Sequence, residues 1–174
     1  MATLGFSTQW PMSMGKGSTN FIPKIWKGLI LNKYMHQNNI LNFIIGTPQK
    51  ILDILPLTSE VLDSVQKIHT IRKDEKNLWK PGRQIHMVVF NRTKNRFQFA
   101  PVIEVKSVQK VEIGYLYIAN GLYEPYVKVD GKILKPKQVK LLAQNDGFDS
   151  VNHFFDWFNN NFTGKIIHWT NLKY

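Results

Sequence analysis

The 174-residue chain carries 23 Lys and Arg against 12 Asp and Glu, giving a net charge of +11 and a pI near 9.8, with 43% hydrophobic and 13% aromatic residues. This is ample apolar material for one well-filled core, and no apolar run approaches the roughly 18–20 residues that would span a bilayer. The chain has no cysteine, which excludes disulfides, thiolate catalysis and cysteine-based zinc sites.

The first residues, Met1 to Pro11, lack the basic start and apolar stretch of a secretory signal, so a cytoplasmic protein is expected. Phe21 to Leu29 reads as a short helix closed near Gly28, with Ser18, Thr19 or Asn20 able to cap its start. Residues 30–46 show the weakest organisation. Thr47-Pro48 has the form of a helix start, with Ile51, Leu52, Ile54 and Leu55 as its apolar face. Thr58-Ser59-Glu60 opens another helix, which buries Val61, Leu62 and Val65.

From Lys67 the pattern changes to strands and turns. Lys67 to Arg72 reads as a strand, followed by a charged loop ending in Lys80-Pro81-Gly82. Ile85 to Phe90 and Phe97 to Val105 then form two strands joined by the polar connection 91–96. Val108 to Ile118 is a further strand, Asn120-Gly121 a turn, and Val127 to Ile133 a hairpin around Asp130-Gly131. Pro136 starts a helix running to about Gln144. Asp149 is expected to cap a second, in which Val151, Phe154, Phe155 and Phe158 recur at helical spacing. Gly164 is expected to end that pattern before a closing strand, Lys165 to Trp169. A single domain is expected over 1–174, with a helical insertion at 30–66, a β-rich core at 67–134, and C-terminal helices and a closing strand at 135–174.

Charge is concentrated around the first of these strands. Lys67, Arg72, Lys73, Lys76, Lys80, Arg83, Arg92, Lys94 and Arg96 face only Asp74 and Glu75 within 30 residues, a surplus of seven positive charges. Such a surplus favours polyanions through the summed field and counterion release, although a solvated basic face has the same composition. Trp26, Trp79, Trp157, Trp169 and Phe148 are the aromatics considered for base stacking. Trp79 stands out because it lies in the charged loop. His36, His69, His86, His153 and His168 have no metal-ligand spacing, so neither metal nor cofactor is expected. Asp149, His153 and Asp156 can share a helix face, which a capping aspartate and surface polar residues explain. No phosphate-cradling glycine loop or nucleophile elbow is present.

Lys67-x-x-Thr70-x-Arg72, the Lys80-Pro81-Gly82 turn with its hydrophobic strand, and Asp146-Gly147-Phe148 before a phenylalanine-rich helix together resemble the signature of ASCH domains. The likeness covers residues 67–113 and 141–174 and extends to ASCH-like proteins of phages and prophages. It implies an α+β fold: a small PUA-like β-barrel with flanking helices and an N-terminal helical insertion. Its relatives bind RNA or modified bases. In the bacterial N4-acetylcytidine amidohydrolases the motif strand supplies a threonine nucleophile and an assisting lysine, and a glutamate comes later in the chain. The resemblance carries these roles to Thr70, Lys67 and Asp146, the last one methylene shorter than the family's residue.

The expected function is RNA or nucleoside binding in a basic cleft formed by Arg72, Lys73, Lys76, Trp79, Lys80 and Arg83 around the motif. The alternatives are hydrolysis of an acylated nucleoside, with RNA cleavage as a variant, and a phage or host interaction module whose residues 30–66 hold a protein partner. No membrane partner is expected.

Overall fold

Two turn dipeptides close consecutive hairpins, the first of them the longest ladder among the described residues. Asn120-Gly121 has φ angles of 52° and 77°, and Asp130-Gly131 has 49° and 83°. Paired left-handed residues of this kind match the twist of a tight hairpin, which is why Asn-Gly and Asp-Gly mark such turns. The computed structural model describes residues 2–45, 47, 49–53, 55 and 58–174.

In chain order the elements begin with β1 (Ala2–Gly5), α1 (Phe21–Leu31), α2 (Asn39–Ile44), α3 (Gln49–Leu52), α4 (Thr58–Asp63) and β2 (His69–Arg72). There follow β3 (Gln84–Val89), β4 (Phe97–Gln98), β5 (Ile103–Glu104), β6 (Ser107–Ala119), β7 (Leu122–Val129) and β8 (Lys132–Ile133). The chain closes with α5 (Pro136–Asn145), α6 (Val151–Trp157) and β9 (Phe162–His168). They fall into two compact units, one of Met1–Ile68 with Gly82–Glu104, the other of His69–Pro81 with Val105–Tyr174.

The first unit is built on β3, whose Ile85, Met87, Val88 and Val89 are fully buried. One edge of β3 pairs in parallel with β1, from Ala2 opposite Ile85 to Gly5 opposite Val88. Its other edge is shared by β4, opposite Val88 and Val89, and β5, opposite Gln84 and Ile85. The single strand expected over Phe97–Val105 is therefore two short ones, because Pro101 between them has no N–H to give the ladder.

Helix α1 in this unit runs through Gly28 to Leu31 instead of closing there. The glycine serves a close approach: the Lys67 N–H donates to the Lys24 carbonyl at 2.7 Å, and a Cβ on Gly28 would lie 2.5 Å from the Lys67 carbonyl oxygen. Trp26, fully buried on the same helix, donates its indole N–H to the Phe99 carbonyl at 2.6 Å. Helix α4 starts at Thr58 as expected, but of the apolar residues expected to be buried only Val61 is, while Leu62 and, beyond the helix, Val65 are exposed. Pro48 and Ile54, on which the preceding helix reading rested, lie outside the described residues.

The second unit is a five-stranded antiparallel sheet in the order β2-β9-β6-β7-β8. Val111, Ile113, Val127, Val129 and Ile166 lie on one face of it and are buried. Helices α5 and α6 cover that face, with Tyr115 Oη donating to the Phe158 carbonyl at 2.7 Å and the Phe158 and Phe162 rings 4.9 Å apart. Pro136 opens α5, as its sequence suggests. Ser150, not Asp149, caps α6: its backbone is extended and its hydroxyl accepts from the His153 N–H at 3.0 Å. Gly164 does not break the chain but lies within β9, where any Cβ would fall 2.5 Å from the Arg72 carbonyl oxygen.

The architecture is mixed α+β, and among the described residues its two sheets have open strand orders. Among the described residues no helix is long and apolar enough to cross a membrane.

Gly28→Ala tests the close approach at α1. Alanine raises helix propensity by about 0.8–1 kcal/mol over glycine. Overpacking against backbone costs about 1–3 kcal/mol, so a net loss of stability is expected in urea unfolding; a stabilised variant would contradict the packing.

Candidate nucleic-acid interface

Strand β2 places its residues on alternate faces: His69 and Ile71 on the face covered by α5 and α6, Thr70 and Arg72 on the other. Register extends the second set across the sheet. Arg72 stands opposite Lys165 of β9, and Lys165 opposite Lys110 of β6, so three cations form a row across adjacent strands about 4.8 Å apart. One step along, Glu112 of β6 faces Lys128 of β7, and Gly114 faces Tyr126. A Cβ at Gly114 would lie 2.6 Å from the Tyr126 hydroxyl, so the absent side chain lets the ring lie over the strand. Lys128 Nζ sits 5.2 Å from that ring's centroid. The outcome is a sheet face on which four cations and a tyrosine stand together, with the Glu112 carboxylate between Lys110 and Lys128.

The loop after β2 is tied to this row. Asp74 accepts the Leu78 N–H at 2.8 Å and the Trp79 N–H at 3.1 Å, and pairs with Lys165 Nζ at 3.0 Å. Lys165 also donates to Asn77 Oδ1. Burial opposes the Asp74 charge, yet the Leu78 N–H, Lys165 and the Trp79 N–H together hold its carboxyl below the usual range. Lys110 pairs with Glu112 at 2.7 Å at the surface, where such pairs contribute about 0–1 kcal/mol. Burial lowers the proton affinity of the Arg72 guanidinium and the Asp146 charge opposes that shift; an arginine stays cationic throughout the neutral range.

On the other side of β2 lies a polar network. Asp146, at the end of α5 and buried, accepts the Ile71 N–H through Oδ1 at 3.3 Å and stands 3.8 Å from His69 Nδ1. His69 Nε2 is 2.8 Å from the Tyr174 hydroxyl, which also accepts from Asn145 Nδ2 at 3.0 Å. Burial raises the Tyr174 phenol above its ordinary value, against the Asn145 bond and helped by the Asp146 charge. The phenol therefore keeps its proton, and the His69 tautomer with its hydrogen on Nδ1 is the one that both accepts from that hydroxyl at Nε2 and turns an N–H toward the carboxylate. The Tyr174 backbone is held as firmly, its N–H donating to Gln109 Oε1 at 2.9 Å and its carbonyl accepting from Gln109 Nε2 at 3.0 Å.

The expected site residues divide accordingly. Arg72 joins the cationic row in register but is half-buried with its Nε enclosed, and Lys73, Lys76 and Lys80 are exposed in the loop, Lys73 in a 2.7 Å pair with Glu75. Trp79 is only 8% exposed, so its ring is largely enclosed. Thr70 is 3% exposed and projects opposite to His69. Asp146 does reach the motif strand, but at Ile71 and His69. Lys67 precedes β2 and belongs to the first unit, where it is buried with Nζ 4.8 Å from the Phe21 ring centroid and 6.0 Å from that of Phe6. Arg83 is half-buried in that same unit.

Sequence reasoning missed Lys165, Lys110, Lys128 and Tyr126 on the face shared with Arg72, and Asn145 and Tyr174 in the network. The alternation of Val108, Lys110 and Glu112 along the expected β6 was the available signal for Lys110. Among the described residues no group of three His, Asp or Glu could hold a metal ion. No family model, curated protein or solved structure matches the chain.

His168 supplies a pH test. It is fully buried opposite Ser107 and His69, and neither of its ring nitrogens has a hydrogen-bond partner among the described residues. Burial first, then the Lys173 charge, lowers its pKa to about 4, against Asp130. A histidine with a depressed folded-state pKa stabilises fully above its unfolded value near 6.5 and progressively loses that contribution as pH falls toward 4. Thermal melts should show stability declining over this window by up to about 1.4 kcal/mol per pH unit from this group. The decline should be shallower in His168→Gln; equal slopes would remove His168 as its source.

Proposed function

We propose that the second unit binds single-stranded RNA or a nucleoside-containing ligand on the part of its sheet face formed by β6 and β7, where Lys110 is exposed and Lys128 and Tyr126 are half-buried. The observation that carries this reading is Lys110 of β6 beside Lys128 and Tyr126 of β7 on one sheet face, with Lys165 and the more enclosed Arg72 in register behind them on β9 and β2. Cations in line contact phosphates, and a tyrosine beside them offers a π-face to an unpaired base. The loop cations Lys73, Lys76 and Lys80 extend the positive field from one end of the row. The likeness of Lys67-x-x-Thr70-x-Arg72 to ASCH domains, with their PUA-like barrels and RNA or modified-base ligands, points the same way. Asp146 acts in this reading as a positioning residue, fixing the edge of β2 through Ile71 and orienting His69.

Fluorescence anisotropy with a labelled single-stranded RNA at two salt concentrations tests the proposal. Wild type should bind and weaken steeply with salt. Lys110→Ala with Lys128→Ala should reduce the slope of log K against log salt by roughly 1.4, at about 0.7 for each single-strand phosphate that is no longer neutralised. Binding that ignores salt, or is untouched in the double variant, would overturn it. Turnover of N4-acetylcytidine that disappears in a folded Thr70→Ala variant would replace binding with amide hydrolysis.

A further inference from the structure

The β6–β7 ribbon outlasts the rest of its sheet. Strand β9 stops with Phe162 opposite Ile113, and β8 pairs only with Lys128 and Val129, so beyond those points β6 and β7 have only each other among the described strands. This stretch bears Leu116, Tyr117, Ile118, Leu122 and Tyr123, each between 55% and 66% exposed. A ribbon apolar on both sides is an association surface rather than ordinary scatter of exposed side chains.

Its two edges differ. The outer edge of β7 contains Pro125, which has no N–H, and Glu124, the features by which proteins guard a strand edge against pairing. The outer edge of β6 has neither. Gly114 to Tyr117 is regular there, and a register shift interrupts the strand only between Tyr117 and Ala119. From Gly114 to Tyr123 the sequence contains no charged residue. In a chain of net charge +11, that matters for the choice of partner, because a contact made here brings no like charges face to face when two copies meet.

We propose that two copies of this chain associate through the β6 edge around Gly114–Tyr117, running antiparallel about a two-fold axis and covering the exposed apolar residues of both ribbons. Such an edge is self-complementary, since an antiparallel strand pair satisfies the isologous geometry of a closed dimer. Nucleic acid fits this ribbon poorly because it offers no cation. A bilayer fits poorly because the polar Asn120-Gly121 turn leads at its tip. Pairing through this edge does not depend on the ligand proposed for the sheet face.

Sedimentation velocity over a concentration series gives the first reading. Full-length wild type should be dimeric, and Leu116→Lys should raise the dimer dissociation constant by about tenfold or more with an unchanged circular dichroism spectrum. The absence of cysteine allows a second reading that needs no destabilising charge. Leu116→Cys or Tyr117→Cys should form a disulfide-linked dimer under mild oxidation, whereas Lys137→Cys on the exposed side of α5 should not. A monomer at every concentration, or a dimer indifferent to Leu116→Lys and uncrosslinked through either cysteine, would overturn the inference. So would a monomer that co-sediments with phosphatidylcholine–phosphatidylserine vesicles through the same residues.

Discussion

The register of β9 between β2 and β6 is the constraint on which the second unit depends. Side chains alternate with period two, so a slip of one residue would turn Lys165 into the face under α5 and α6 and send Ile166 out of it. The correct register is fixed from several sides. Ile166 is buried on the helix side and Gly164 admits the Arg72 carbonyl where no larger residue fits. Asp146 meanwhile holds the Ile71 N–H on β2's outer edge. The cationic row is thus a consequence of packing on the opposite face, and its geometry is as rigid as that packing.

The motif strand shows how one short segment serves two purposes. Its even and odd positions look in opposite directions: Thr70 and Arg72 to the face proposed for ligand, His69 and Ile71 to the helices. Asp146, the carboxylate that the ASCH resemblance suggests for chemistry, is engaged with the second set. Its contacts with a backbone N–H and an oriented histidine suit a residue that shapes the strand, and the Tyr174 hydroxyl completes the arrangement through His69 and Asn145. Buried polar groups satisfied in this way specify position more than they add stability.

Local signals were legible in the sequence where the cause of the structure is itself local. Asn120-Gly121, Asp130-Gly131 and Pro136 mark their turns and helix start because their backbone preferences act within a residue or two. Gly28 and Gly164 were misread as breaks because what demands a glycine at each is a carbonyl brought close by folding, that of Lys67 or Arg72. The same limit hid most of the candidate site. Arg72 was visible in its motif, but Lys165 and Lys110 become its neighbours only through strand register. Trp79 looked open because its sequence neighbours are charged, whereas its burial is set by the Asp74 turn and the packing around it. Asp149 and Ser150 are both good caps, and a choice between adjacent caps turns on backbone angles that composition does not reveal.

Strand β2 has a consequence for how this molecule is made. It is synthesised well before its ladder partner β9, and the whole of β6, β7, α5 and α6 must emerge between them. Closure of a ladder between such distant segments is slow, since the entropy of the intervening loop is lost before the pairing is gained. Until β9 arrives, one edge of β6 lacks its neighbour along its full length and β2 has no strand to join. The nascent chain therefore passes through a state in which Ile71 and Ile113, buried in the finished sheet, are presented to solvent beside unpaired backbone. The strand that completes the proposed binding face is thus also the one that ends the chain's most aggregation-exposed interval.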